Sequence, residues 1–297
     1  MNTILDWGTN VVIWFQQFSP ALDTPFKIFT FTGDEEFFLL FLPLIYWCID
    51  RSTGARLTVL FLLSTFFNSV AKVIADQPRP FEYNPEVKEI SSASGGGFPS
   101  GHTQNALVIW SYLALIVRRT SFWIVAILLM ILIPLSRIYL GVHFPTDLMG
   151  GYILGTIVLL LFLLISPRIE QIFSKFRFIT GLGLTMLLPI VLIIIFPSEK
   201  DYGITACATL MGMSTGFFLE RRYIGFFTEG VFWIKTVRYQ IGIAVLITLW
   251  LCLKIAFSNL NPDSLFRFIR YAIVGFWGSF GAPLLFVKTG LAKNKRL

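Results

Sequence analysis

Residues 136–166 read SRIYLGVHFPTDLMGGYILGTIVLLLFLLIS. From Thr146 to Ser166 the one charged residue is Asp147, and the run is close to the roughly 20 apolar residues that cross a hydrocarbon core. A membrane-spanning helix is expected over 146–166, with the polar group His143-Phe144-Pro145-Thr146-Asp147 at its head. Runs of the same kind recur at 37–49, 54–74, 103–117, 121–136, 178–196, 202–219, 240–257 and 268–287, the first of them short. The expected fold is therefore all-α, a polytopic bundle of about nine membrane spans. Residues 3–31 are aromatic but carry Gln16, Gln17, Asp23 and Lys27 and are interrupted by Pro20 and Pro25, which favours two short interfacial helices. A tenth span is the alternative there.

Composition excludes other classes. Of 297 residues, 55% are hydrophobic and 14% are charged, against roughly 25% charged in soluble domains. An ordinary soluble enzyme and a disordered chain are both ruled out. Cys48, Cys207 and Cys252 lie far apart in apolar runs and do not make a disulfide framework. The formal charge of +7 fits cytoplasmic loops and anionic headgroups better than nucleic acid in so apolar a chain. No basic segment precedes a cleavable apolar one, so no signal peptide is expected.

With nine spans the loops alternate between two sides. One side gathers 15 of the 24 lysines and arginines, Lys295 and Arg296 among them. The other holds 8, including Lys72, Arg79, Arg137 and Lys200. The positive-inside rule puts the richer side in the cytoplasm. The poorer side then faces the periplasm or exterior of a bacterial inner membrane, or the endoplasmic reticulum lumen in a eukaryote. The long loop 76–101, rich in Pro, Gly and Ser, lies on this outer side, and long loops in compact proteins are functional or disordered.

Three polar groups share that side. Lys72 near the end of span 54–74, with Arg79-Pro80 beyond it, either snorkels to the surface or converges with Arg79 on an anion. Pro99-Ser100-Gly101-His102 closes the long loop and opens the next span. It is either a Ser-capped turn or a helix N-terminus ready to bind phosphate, with Gly101 permitting close backbone approach. Ser136-Arg137 ends one span, and His143 to Asp147 begins the next. Asp147, four residues after His143, can reach back to the imidazole and make its other nitrogen a better nucleophile. His102 and His143 are the only histidines. Three cations, two imidazoles, an orienting carboxylate and a helix N-terminus on one side suit attack on a phosphoryl group.

In this arrangement the chain resembles the type 2 phosphatidic acid phosphatase superfamily. The family's three-part signature is matched at every position: Lys72 through Arg79-Pro80, then Pro99-Ser100-Gly101-His102, then Ser136-Arg137 with His143 and Asp147. The resemblance covers about 30–166. Gly33-Asp34-Glu35 with Phe37-Phe38, Pro43 and Tyr46-Trp47 is similar to the sphingosine-1-phosphate phosphatase branch and its bacterial relatives.

The resemblance implies a six-helix phosphatase-type core at 34–166, after an N-terminal segment at 1–33 and before additional helices at 167–297. It also implies a metal-independent lipid phosphate phosphatase with no cofactor. His143 would form a phosphohistidine, Asp147 would hold its ring, and His102 would serve as acid and then base. Lys72, Arg79, Ser100, Gly101 and Arg137 would bind the phosphate. Asp34, Glu35 and Asp76 are further candidates for substrate contact. The expected partners are a lipid phosphate and the membrane, not nucleic acid. A lipid phosphotransferase using the same intermediate and a non-enzymatic lipid-phosphate transporter are the competing readings. The last four spans have no legible role, and Gly212 and Gly216, spaced G-x-x-x-G, either pack helices or mediate dimerisation.

Overall fold

Pro145, pre-set for a first helical turn, starts the longest helix of the chain. The computed structural model describes residues 3–196 and 200–294, so Lys295 and Arg296, and the side chain of Lys200, lie outside the described residues. Its helices are α1 (Thr3–Gln16), α2 (Asp23–Phe31), α3 (Glu35–Leu44), α4 (Arg51–Ala75), the short α5 (Pro80–Tyr83), α6 (Gly101–Val117), α7 (Thr120–Tyr139), α8 (Pro145–Lys175), α9 (Phe178–Ile195), α10 (Lys200–Tyr223), α11 (Phe232–Ala256), α12 (Asp263–Phe276) and α13 (Ala282–Lys288). Two π-helical segments, Ile45–Ile49 and Trp277–Gly281, extend α3 and join α12 to α13. Among the described residues there is no strand, only an isolated bridge between Phe226 and Asn294.

Each of the nine expected spans coincides with a helix. Seven helical stretches are long and apolar enough to cross a bilayer, beginning at Arg51, Thr120, Pro145, Phe178, Tyr202, Phe232 and Asp263. The other two are shorter: α6 has 17 residues, and α3 has 10 before its five-residue π segment. The protein is a multi-pass membrane protein with an all-α bundle. At its N-terminus two short helices form, as the two prolines and the polar residues suggest.

The chain divides into two compact units. One holds Met1–Phe38 and Phe67–Leu164, the other Leu39–Phe66 and Ile165–Leu297.

In the first unit the polar residues that interrupt the N-terminal segment are anchors. Gln16 Nε2 donates to the Lys88 carbonyl at 2.7 Å, and its Oε1 accepts from the Lys88 amide at 3.0 Å. Asp6 accepts from Tyr83 Oη at 2.9 Å, and Asp23 accepts from Tyr139 Oη at 2.5 Å. These bonds tie α1 and α2 to the long loop and to α7. Gly141, at φ +79°, lets the chain turn out of α7; a Cβ there would lie 2.2 Å from the Lys88 carbonyl oxygen.

In the second unit Gly212 and Gly216 answer a packing need. A Cβ on Gly212 would sit 2.0 Å from the Ala272 carbonyl oxygen, and one on Gly216 would sit 1.9 Å from Ser279 Oγ. The G-x-x-x-G face therefore lets α10 touch the backbone of α12 and the π segment after it, within one chain. The two π segments also meet: Tyr46 Oη donates to the Ser279 carbonyl at 3.1 Å and Trp47 Nε1 to the Gly278 carbonyl at 2.8 Å. Arg238, fully buried, donates to the carbonyls of Trp47, Thr228, Glu229 and Leu291. Its planar fork suits several acceptors in fixed positions.

Candidate active site

The site lies in the first unit and is assembled at the ends of helices. The turn from α7 into α8 carries His143, and the first turn of α8 carries Asp147. His143 Nδ1 is 3.1 Å from Asp147 Oδ2, with the imidazole 2% and the carboxylate 0% exposed. The same Oδ2 accepts from the Phe144 amide at 2.8 Å, and Oδ1 accepts from Gln77 Nε2 at 2.7 Å. A carboxylate oriented from both sides favours the tautomer with the proton on Nδ1 and the lone pair on Nε2.

A cation stands beside that lone pair. Arg79 Nη1 lies 3.5 Å from His143 Nε2 and donates to the Val142 carbonyl at 2.9 Å. Its Nε and Nη2 hold the carbonyls of Gly95 at 2.9 Å and Ser94 at 2.6 Å. Lys72 donates to the carbonyl of Gly96, and the Gly97 amide donates to the Gln77 carbonyl at 2.7 Å. The Gly-rich loop is thus laid over the site by the residues expected to bind phosphate. Arg137, at the end of α7, donates to Thr30 Oγ1. Lys72, Arg79 and Arg137 are 8%, 4% and 4% exposed. Arg79 beside the ring, with the fields of Lys72 and Arg137 reaching it, makes this part of the first unit electropositive. Burial, and next the fields of Arg79, Lys72 and Arg137, hold the pKa of His143 well below its ordinary value. That direction favours the neutral ring.

Ser100 caps α6. Its Oγ accepts from the Thr103 amide at 3.4 Å and from Thr103 Oγ1 at 3.0 Å, and its own amide donates to the Asp147 carbonyl at 2.9 Å. Gly101 opens the helix and faces the Asn68 side chain, where a Cβ would stand 3.1 Å from Oδ1. His102 follows in the first turn, its Nε2 2.7 Å from Asp34 Oδ1. All eight expected site residues therefore come together in one unit.

Of the three further candidates, Asp34 is bonded to His102, whereas Glu35 and Asp76 are exposed. Sequence reasoning missed Gln77 and Thr30. Gln77 lies inside the first motif but is an ordinary loop amide in the sequence, and Thr30 belongs to a helix with no motif at all. Among the described residues, no group of three or more His, Cys, Asp or Glu side chains is placed to hold a metal ion.

A buried, carboxylate-oriented imidazole with an arginine beside it lies at the helix ends of a membrane bundle. Residues 53–171 match the model of the PAP2 superfamily, and residues 204–294 match that of the PAP2 superfamily phosphatase, transmembrane extension. The chain belongs to the PAP2 superfamily.

It is similar to mouse sphingosine-1-phosphate phosphatase 2, with 31% identity over 46% of this chain and 40% of the relative. It is 36% identical to phosphatidylglycerophosphatase B of Bacillus subtilis, over 43% of this chain and 64% of that protein. Mouse sphingosine-1-phosphate phosphatase 1 is 24% identical over 90% of this chain and 72% of its own length. The chain spans less than two thirds of the first two relatives.

Proposed function

We propose that the protein is a metal-independent lipid phosphate phosphatase that works through a phosphohistidine. The observation that carries this reading is the buried His143–Asp147 pair, with Arg79 3.5 Å from His143 Nε2 and the fields of Lys72 and Arg137 reaching the ring. His143 Nε2 attacks phosphorus, and the bond from phosphorus to the lipid oxygen breaks. His102 gives its proton to that leaving oxygen. His102 then takes a proton from water, whose oxygen bonds to phosphorus as the phosphorus–Nε2 bond breaks. Free phosphate leaves, and both histidines return to their starting states.

Asp147 stabilises the charge that develops on the His143 ring. The three cations, with Ser100 and the Gly101 amide at the N-terminus of α6, hold the non-bridging oxygens. Fixed cations neutralise this charge in the way a metal ion does in other phosphoryl-transfer sites.

Lipid phosphates are the substrate class that fits a site at helix ends in an apolar bundle. The names of the similar phosphatases support the same class. The excess of lysine and arginine on the opposite loops supports an extracytoplasmic site, and the prolines and polar residues of 3–31 support α1 and α2 as interfacial helices. Transfer of the phosphoryl group to a second lipid instead of water is the reading that the same intermediate also permits.

The test is phosphate release by the purified protein in detergent micelles with EDTA present, against a panel of sphingoid-base, glycerol-based and polyprenyl phosphates. Release from at least one lipid is expected, with the His143→Ala variant silent. Turnover by that variant would refute the nucleophile, and loss of activity with EDTA would refute metal independence. Phosphate appearing on an added acceptor lipid in place of free phosphate would favour the transferase.

A further inference from the structure

The corner between α2 and α3 touches the catalytic groups twice. Thr30 Oγ1 accepts from Arg137, and Asp34 Oδ1 lies 2.7 Å from His102 Nε2. Gly33, between them, is pressed against the same imidazole. A Cβ there would lie 2.8 Å from His102 Cδ2 and 2.9 Å from Ile133 Cγ2. Cδ2 and Nε2 are neighbours on the ring, so one edge of His102 is held against this corner and the Nδ1 side is turned away from it.

The two histidines are therefore braced in opposite senses. His143 is held at Nδ1 and offers Nε2; His102 is held at Nε2 and offers Nδ1. Asp34 lies outside the three-part motif, more than thirty residues before its first position.

We propose that Asp34 is a positioning residue for His102. It fixes the ring and stabilises its protonated form, so that Nδ1 is the atom that gives the proton to the leaving oxygen and later takes one from water. This inference rests on the phosphatase reading above. The electrostatics give Asp34 a definite task. The charged and titratable groups facing His102 are Arg137 from α7, Arg79 from the loop before α5, His143 from the α7–α8 turn, and Asp34 itself. Burial first, and then the arginines, disfavour an imidazolium, and Asp34 is the group among these that favours it. The proton balance is closed. Nε2–H stays with Asp34 while Nδ1–H passes to the alkoxide as the P–O bond breaks, and the proton from water restores it.

The test compares a lipid phosphate with an aryl phosphate whose phenolate leaves without protonation. On the lipid, Asp34→Asn should lower kcat by about 100-fold, within the range set by general acid–base catalysis. On the aryl phosphate the loss should be at least tenfold smaller. Asp34→Glu should recover part of the loss on the lipid. The double variant Asp34→Asn/His102→Asn should be no slower than His102→Asn alone, because the two act as one unit. Equal losses on both substrates, or a double variant slower by the product of the single losses, would overturn the proposal and leave Asp34 a structural residue.

A second measurement does not depend on turnover. With two histidines in the chain, His143→Gln leaves His102 as the one imidazole to titrate by NMR. Adding Asp34→Asn should lower its pKa by about one pH unit or more. An unchanged titration would overturn the pairing. If wild type and His143→Ala were equally silent on every substrate, the phosphatase reading would fail, and this titration would still decide the pair.

Discussion

At the scale of residues the protein braces two imidazoles with the same device, a carboxylate on one nitrogen, but on opposite nitrogens. Which nitrogen is held decides which atom faces the chemistry. For His143 the surroundings also decide the charge: burial and three cations lower its folded-state pKa, whereas the unfolded chain titrates near the ordinary value of about 6.5. A depressed folded pKa means that the unfolded state takes up the proton first as pH falls. The stability contributed by neutral His143 is present in full above pH ~6.5 and is lost progressively below it. The thermal midpoint of the wild type in detergent should therefore fall between pH 7 and pH 5, and it should fall less in His143→Gln. Parallel midpoint curves for the two proteins would contradict this.

At the scale of elements the site depends on the N-termini of α6 and α8 being held close. The bond from the Ser100 amide to the Asp147 carbonyl joins the two helix starts. Small residues permit the approach. A Cβ on Gly151 of α8 would lie 2.6 Å from the Ser100 carbonyl oxygen and 2.9 Å from Thr103 Cβ. Backbone at that distance cannot yield without moving the helix. Gly151→Ala should destabilise the protein by about 1–3 kcal/mol and reduce phosphatase activity as well, since Ser100 and Asp147 would separate. Gly183 in α9 has nothing within 4 Å of its notional Cβ. Gly183→Ala should be neutral or stabilising by up to about 1 kcal/mol. Thermal unfolding of the two variants side by side checks the contrast; similar losses would show that the α6–α8 contact is not what makes Gly151 matter.

At the scale of the whole molecule, the positive-inside rule predicts that the long loop lies on the extracytoplasmic side. Ser92 is exposed in that loop. Cys48 and Cys207 are buried and Cys252 is exposed. Ser92→Cys in a Cys252→Ala background should react with an impermeant thiol reagent added outside intact cells. Labelling that required permeabilisation would reverse the orientation and move the site to the cytoplasm.

Spans were legible in the sequence because crossing a bilayer demands about 20 apolar residues in a row, a local property. The eight residues proposed for the site stand out in the sequence because phosphoryl chemistry needs particular groups, and Lys72, Arg79, the Ser100-Gly101-His102 turn, Arg137, His143 and Asp147 fall in three short motifs along the chain. The sequence also offered two uses for the glycines of α10, and it left Asp34 one of three carboxylates that were candidates for substrate contact.

Those matters were decided by tertiary structure, since each turns on a contact between residues far apart in sequence. Gly212 meets Ala272 inside the same chain. Gln77 reaches Asp147 across 70 positions, Asp34 reaches His102 across 68, and Thr30 reaches Arg137 across 107. A glutamine, a threonine or an aspartate has no periodicity that marks its partner. Only the packing of helix ends brings donor and acceptor within 3 Å and so selects the pair that forms.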